Sequence, residues 1–262
     1  MSHANGSKVP AGTSAPDGPA PAVAAAGHPL DDPVRAALTG PQAGFAEQRG
    51  RVLRFRADVA VFGTLPPQPS AADWRDAADL AGPGGTLVVL AELTPPPDWE
   101  TVAVLPSVQM VDEGMTAAAD GEAVPLQQAD VPEMLDLVAR TRPGPFRPAT
   151  IELGGYLGIR RDGRLVAMAG QRMRPAGWTE ISAVCTDDQF RGQGLGSRLI
   201  RAVAAGIRAR GETPFLHTVA DNTTAIQLYE RLGLRLRQRF LITALRAPGD
   251  GERRDAPPHP VR

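Results

Sequence analysis

Cysteine is nearly absent. Cys185 stands alone among 262 residues, which excludes an intrachain disulfide and a zinc site built from cysteines. Aromatic residues make up 5% of the chain and do not interleave with an arginine-rich tract, so nucleic acid is not an expected partner. No apolar run reaches the roughly 18 residues that a membrane helix requires. Lys8 is the one basic residue near the N terminus and the run Pro21-Ala-Val-Ala-Ala-Ala is weakly apolar, so neither a secretory leader nor a membrane partner is expected. These absences fit a cytoplasmic protein. No set of metal ligands can be read from the sequence.

Net charge is also small, −1 in all, but it is unevenly placed. Residues 1–130 hold 7 Lys and Arg against 16 Asp and Glu, and residues 131–262 hold 21 against 13. The second half is therefore basic, which suits an anionic ligand. The length allows one large domain or two small ones. Residues 1–30 are rich in Ala, Pro, Gly and Ser and read as a disordered tail, and 247–262 as a flexible one. Residues 31–118 read as an α/β lobe. Its expected parts are a strand over 51–61, a helix over 74–80 and strands over 86–91, 101–105 and 108–111. No phosphate-binding loop occurs in it.

The most informative stretch runs from Thr179 to Ile200. Ile181 and Val184 among small residues predict a buried strand. Asp187 and Asp188 end it. Arg191-Gly192-Gln193-Gly194-Leu195-Gly196 forms a glycine-rich turn, and Leu195, Leu199, Val203 and Ile207 recur at helical spacing. Strand, glycine loop and helix together make a phosphate cradle, since glycine lets backbone N–H groups approach and the helix end adds positive charge. A Walker loop is excluded because no Lys precedes Ser197. A dinucleotide fingerprint is excluded because Gly192, Gly194 and Gly196 are wrongly spaced. Arg191-x-x-Gly194-x-Gly196 remains. A second stretch, Asn222-x-x-Ala225-x-x-x-Tyr229-x-x-x-Gly233-Leu234, predicts a helix capped by Asn222 or Asp221 and ended by Gly233. A helix over Asp130–Thr141 and a hairpin at Asp162-Gly163 precede these elements.

Over Glu122 to Leu245 the order and both motifs resemble the GNAT superfamily of N-acetyltransferases. The resemblance implies an α/β fold: a GNAT-type mixed sheet flanked by helices over 119–246, with an additional N-terminal α/β lobe. Both a degenerate half-copy of the fold and an unrelated lobe stay open for 31–118. It implies acetyl-CoA as co-substrate, an amine acceptor (small molecule, amino acid or peptide) and direct transfer in a ternary complex. A CoA-binding regulatory domain without turnover is the alternative. Cofactor contacts fall on Val184, Cys185, Thr186, Arg191, Gly192, Gln193, Gly194, Leu195, Gly196, Ser197, Asn222 and Tyr229. The resemblance makes Tyr229 the acid that protonates the leaving sulfur, although its spacing alone reads as a packed helix residue. Glu180 is either the base or a solvent-facing strand end. Arg142, Phe146 and Ser182 are expected near the acceptor. Cys185 reads as a small core residue before a nucleophile, with His217 as a nearby base if it were one. Self-association into a homodimer stays open.

Overall fold

A computed structural model describes residues 27–249. The expected tails fall mostly outside this range. The parts inside it are packed: Leu30 is fully buried and Ala247 nearly so, because each is an apolar residue seated in a core cluster.

The chain begins with α1 (Pro33–Leu38), β1 (Ala46–Arg49), β2 (Val52–Phe55), β3 (Gly63–Thr64) and α2 (Ala71–Ala81). The strands form a three-stranded sheet. The strand expected over 51–61 stops at Phe55, because the N–H groups of Val59 and Ala60 turn back to the Arg56 carbonyl. Ser70 and Asp73 close a capping box on α2, which fixes the helix start. Then come β4 (Thr86–Val89), β5 (Glu100–Asp112), β6 (Val124–Pro125), α3 (Val131–Thr141), β7 (Leu157–Arg161), β8 (Arg164–Gln171), β9 (Trp178–Thr186), α4 (Leu195–Arg208), β10 (Thr213–Val219), α5 (Thr223–Leu232) and β11 (Leu234–Arg246). These strands make one mixed eight-stranded sheet in the order β4-β11-β5-β10-β9-β8-β7-β6.

The N-terminal lobe is thus present, but its last two strands belong to the large sheet. β5 lies inside that sheet, antiparallel to both β10 and β11. The two strands expected at 101–105 and 108–111 are one strand running through Pro106. Pro is tolerated there because pairing with β10 begins only at Ser107, so Pro106 stands where the strand becomes an edge on that side.

One face of the sheet is covered by α4 and α5. Leu195, Leu199, Val203 and Ile207 are all buried there, with Ile181, Leu216 and Tyr229, as the helical spacing predicts. α3 covers the other face over Met168 and Cys185, and α1 with β2 covers it over Val111 and Phe215. Asp162 and Gly163 both take positive φ in the tight β7–β8 hairpin. Asp130 precedes α3 but makes no side-chain cap on it; its carboxylate accepts from Gln127 N–H at 2.7 Å and from Arg160 at 2.6 Å. Gly233 ends α5 with φ +98, and a Cβ there would stand 2.7 Å from the backbone of Gly114.

Candidate active site

β9 and β10 run parallel but stay paired over only three residue pairs, Trp178–Thr213, Thr179–Pro214 and Glu180–Phe215. Beyond them β9 continues to Thr186 bonded to β8 alone, and β10 continues to Val219 bonded to β5 alone. A gap therefore opens in the middle of the sheet. At its mouth β9 carries a bulge. Ser182 faces Gly170 and Cys185 faces Met168, leaving Ala183 and Val184 opposite Ala169. Ala183 has φ +53, an uncommon conformation for a residue with a Cβ and a mark of a bulge that re-aims the strand.

The glycine loop adjoins the gap. Its entrance is anchored by Asp187, whose buried carboxylate is paired with Arg140 of α3 and, at 2.6 Å, with Arg164 of β8. Gly192 and Gly194 have φ +78 and +75. The first bond of α4 runs from Arg198 N–H to Gly194 C=O, so the N–H groups of Leu195, Gly196 and Ser197 have no acceptor within the helix. A Cβ on Gly196 would lie 3.8 Å from both Val184 and Thr186, which puts the first turn of α4 against the end of β9. Arg191 is exposed and paired only with the exposed Asp188. Gln193 is exposed in the same loop. The loop therefore presents unpaired backbone donors and an exposed guanidinium, with open space beside Gly192 and Gly194.

Tyr229 packs from α5 on the α4 side of the sheet. It is buried, and burial pushes its phenol up to about 12. Asn222 caps α5, accepting from Ala225 N–H at 3.2 Å. Cys185 points to the other face, among Leu137, Phe146 and Met168. Burial raises its thiol to about 11, so it is protonated at neutral pH and a poor nucleophile. Only its backbone borders the gap.

Glu180 is fully buried at the closed end of the gap. Oε1 accepts from Arg172 at 2.6 Å and pairs with His217 Nδ1 at 2.8 Å. Oε2 accepts from Arg172 Nε at 2.9 Å and from Met173 N–H at 3.3 Å. All four lone-pair positions are thus taken. Burial pushes this carboxyl up, but the Arg172 guanidinium and then His217 outweigh it and hold the group well below the ordinary range. The tautomer of His217 follows from its neighbours. Gln109 must turn its amide nitrogen to the Leu30 carbonyl, 3.0 Å away, while its oxygen accepts from Arg237. That nitrogen also lies 2.9 Å from His217 Nε2. Nε2 is then an acceptor, and Nδ1–H donates to Glu180. Arg172 in turn lies over the Phe62 ring at 4.6 Å.

Of the residues expected near the acceptor, Ser182 lies in β9 next to Glu180 and is half-buried. Arg142 takes a left-handed conformation at the end of α3. Phe146 is buried edge-on against Tyr156. A pocket of about 460 Å³ lies nearby, bordered by Ala91, Glu92, Ser107, Ala220 and Phe240; the Phe240 ring is 5.1 Å from His217. The Arg172–Glu180 pair and the anchoring of the loop by Asp187 left no mark in the motifs. Among the described residues no group of His, Cys, Asp or Glu is placed to hold a metal ion, and no helix is long and apolar enough to cross a membrane.

Residues 156–242 match the FR47-like protein family. The chain is 33% identical over 129 residues to the N-alpha-acetyltransferase RimI of Mycobacterium tuberculosis, covering 44% of this chain and 80% of that protein. It is 34% identical over 98 residues to a mycothiol acetyltransferase of Saccharopolyspora erythraea, covering 37% of this chain but only 31% of that one. A crystal structure from Novosphingobium aromaticivorans, described as a GNAT-family acetyltransferase, superposes with a TM-score of 0.78 at 41% identity, over 83% of this chain and 98% of that one. Fold and relatives define an acetyltransferase. The chain belongs to the GNAT family of N-acetyltransferases, a fold that implies acetyl-CoA as co-substrate.

Proposed function

We propose that the chain transfers an acetyl group from acetyl-CoA to a primary amine, directly and in a ternary complex. The observation that carries this reading is the parted β9–β10 pair with the open glycine loop at its mouth. Acetyl-CoA supplies the activated acetyl thioester. The phosphates would sit on the free N–H groups of residues 195–197, near Arg191 and the end of a 14-residue helix whose dipole favours negative charge. The backbone of Val184–Thr186 would line the arm, with Asn222 on its other side.

Tyr229 would give its proton to the departing sulfur. A free thiol titrates near pH 8.5 and a free phenol near 10. Burial of Tyr229 widens that gap, so the transfer is uphill unless the proton lost by the amine returns to the phenol through water, the net step moving one proton from the amine to the sulfur. Glu180 would act as a positioning group: its carboxylate is saturated, and it holds Arg172 and His217 in place. The amine's proton would then leave through water. RimI is named for α-amine acetylation and the other relative for a small thiol-bearing molecule. A peptide α-amine or a small-molecule amine is therefore the acceptor class proposed here. Residues 119–246 would form the acetyltransferase domain, completed by the two strands lent from 31–118.

Tyr229→Phe tests the acid role. It should lower kcat by roughly 10²–10⁴-fold and leave the calorimetric affinity for acetyl-CoA unchanged, because the hydroxyl acts in the transition state. An undiminished kcat would return Tyr229 to a packing role.

A further inference from the structure

Among the described residues one buried side-chain polar atom has no hydrogen-bond partner, the hydroxyl of Tyr156. A buried hydroxyl without a partner is costly and calls for a reason. Arg172 and Glu180, whose charges reach this phenol, are bonded to each other. The ring lies over Gly170, where a Cβ would come within 2.3 Å of it. Gly170 is paired with Ser182 at the β9 bulge, so the phenol stands beside the strand that borders the gap. It also stands on the face opposite Tyr229, since Tyr156 packs with Met168 and Cys185 while Tyr229 packs with α4.

We propose that Tyr156 keeps its hydroxyl unpaired for the acceptor, and that its oxygen receives a hydrogen bond from the amine nitrogen. The proposal rests on the acetyl-transfer reading above. The glycine loop and Tyr229 lie on the α4 side, so a ligand group that meets Tyr156 comes from the other side of the sheet. The phenol is neutral and removes no proton; it fixes where the nitrogen sits. Around it are Leu126, Phe146 and Met168, and the Arg172 charge is already bound. The geometry therefore fits an uncharged primary amine on an apolar stem. The Phe146 ring packs edge-on against that of Tyr156, with centroids 5.5 Å apart. Acceptor binding displaces the Phe146 ring, and the stretch leading to it carries two positive-φ residues, the left-handed Arg142 and Gly144 at φ +131.

Tyr156→Phe separates this role from packing. The test uses the full chain, a panel of primary amines, amino acids and peptides, and the best wild-type acceptor from that panel. Removal of an unpaired buried hydroxyl should leave the melting temperature unchanged or raise it. The acceptor KM should rise roughly two- to twelvefold, as for loss of one neutral hydrogen bond. Acetyl-CoA affinity by calorimetry should not move. An unchanged acceptor KM in an active variant overturns the proposal alone. So does a lower melting temperature, which would mean the hydroxyl is satisfied within the protein. A wild-type chain that binds acetyl-CoA but releases no thiol with any amine overturns the reading beneath it and the proposal with it.

Discussion

The glycine loop before α4 and the floor around Glu180 border the same gap and are built in opposite ways. In the loop, Gly192 and Gly194 have open space where a Cβ would be, and the backbone donors of the first helical turn are unspent. At the floor, Glu180 is fully buried and meets four donors. Charge that must receive a ligand is left uncommitted and near solvent. Charge that must hold a shape is buried and consumed by its partners. On that contrast, damage to the floor appears as lost stability, and damage to the loop appears as lost binding.

The largest effect is expected at the floor. Arg172→Leu leaves Glu180 buried without its cation and should cost about 3–5 kcal/mol in urea denaturation at neutral pH, a large share of the 5–15 kcal/mol typical of a domain. The pH dependence has a definite sign. In the wild type the Glu180 pKa is lowered, so its contribution is present above the unfolded carboxyl pKa and is lost as pH falls through the folded one. In the variant burial dominates and the pKa moves up, so protonation relieves the cost. The gap between the two proteins should narrow from pH 7.5 to pH 5. A gap of equal size at both values would mean that Glu180 is not the group left uncompensated.

Next comes the loop. CoA at 100 times its Kd should stabilise the wild type by about 2.7 kcal/mol. Gly194→Asp should abolish that shift by placing an anion where a phosphate would bind. Gly194→Ala carries the same left-handed strain without the charge and should keep part of it. Equal shifts in both variants would point to backbone strain in place of charge. The smallest effect is Asn222→Ala, which removes the 3.2 Å cap on Ala225 N–H. It should cost about 1 kcal/mol and weaken CoA binding, with kcat at saturation nearly unchanged. A lowered kcat with intact affinity would place Asn222 in the chemistry.

The second half of the chain was legible because its signals are local. The spacing of Leu195 to Ile207, the Asn222–Gly233 helix and the Asp162-Gly163 hairpin each sit within a few turns of sequence. The floor was not, because it is assembled from Leu30, Gln109, Arg172, Glu180 and His217 on separate elements. Nothing near Glu180 in sequence says that Arg172 and His217 will saturate it. Tyr156 was missed for a related reason: an orphan hydroxyl is defined by what surrounds it in space. Pro106 misled the reading of β5, since a proline inside a strand is tolerated only where pairing on one side stops, and that depends on β10.

The interior position of β5 has a consequence for how the chain comes to be folded. Val108 pairs with Thr218 on one side and Arg239 on the other, both more than a hundred residues later. During synthesis from the N terminus, this strand is made first and waits for both neighbours. Meanwhile it carries Val102, Val104 and Leu105, which remain surface-exposed even in the finished fold. Pairings this distant are slow to form, and a waiting strand with open edges is prone to pair with other chains. Only once β10 and β11 are made can β5 be paired on both edges, and the yield of refolded protein should fall steeply as chain concentration rises.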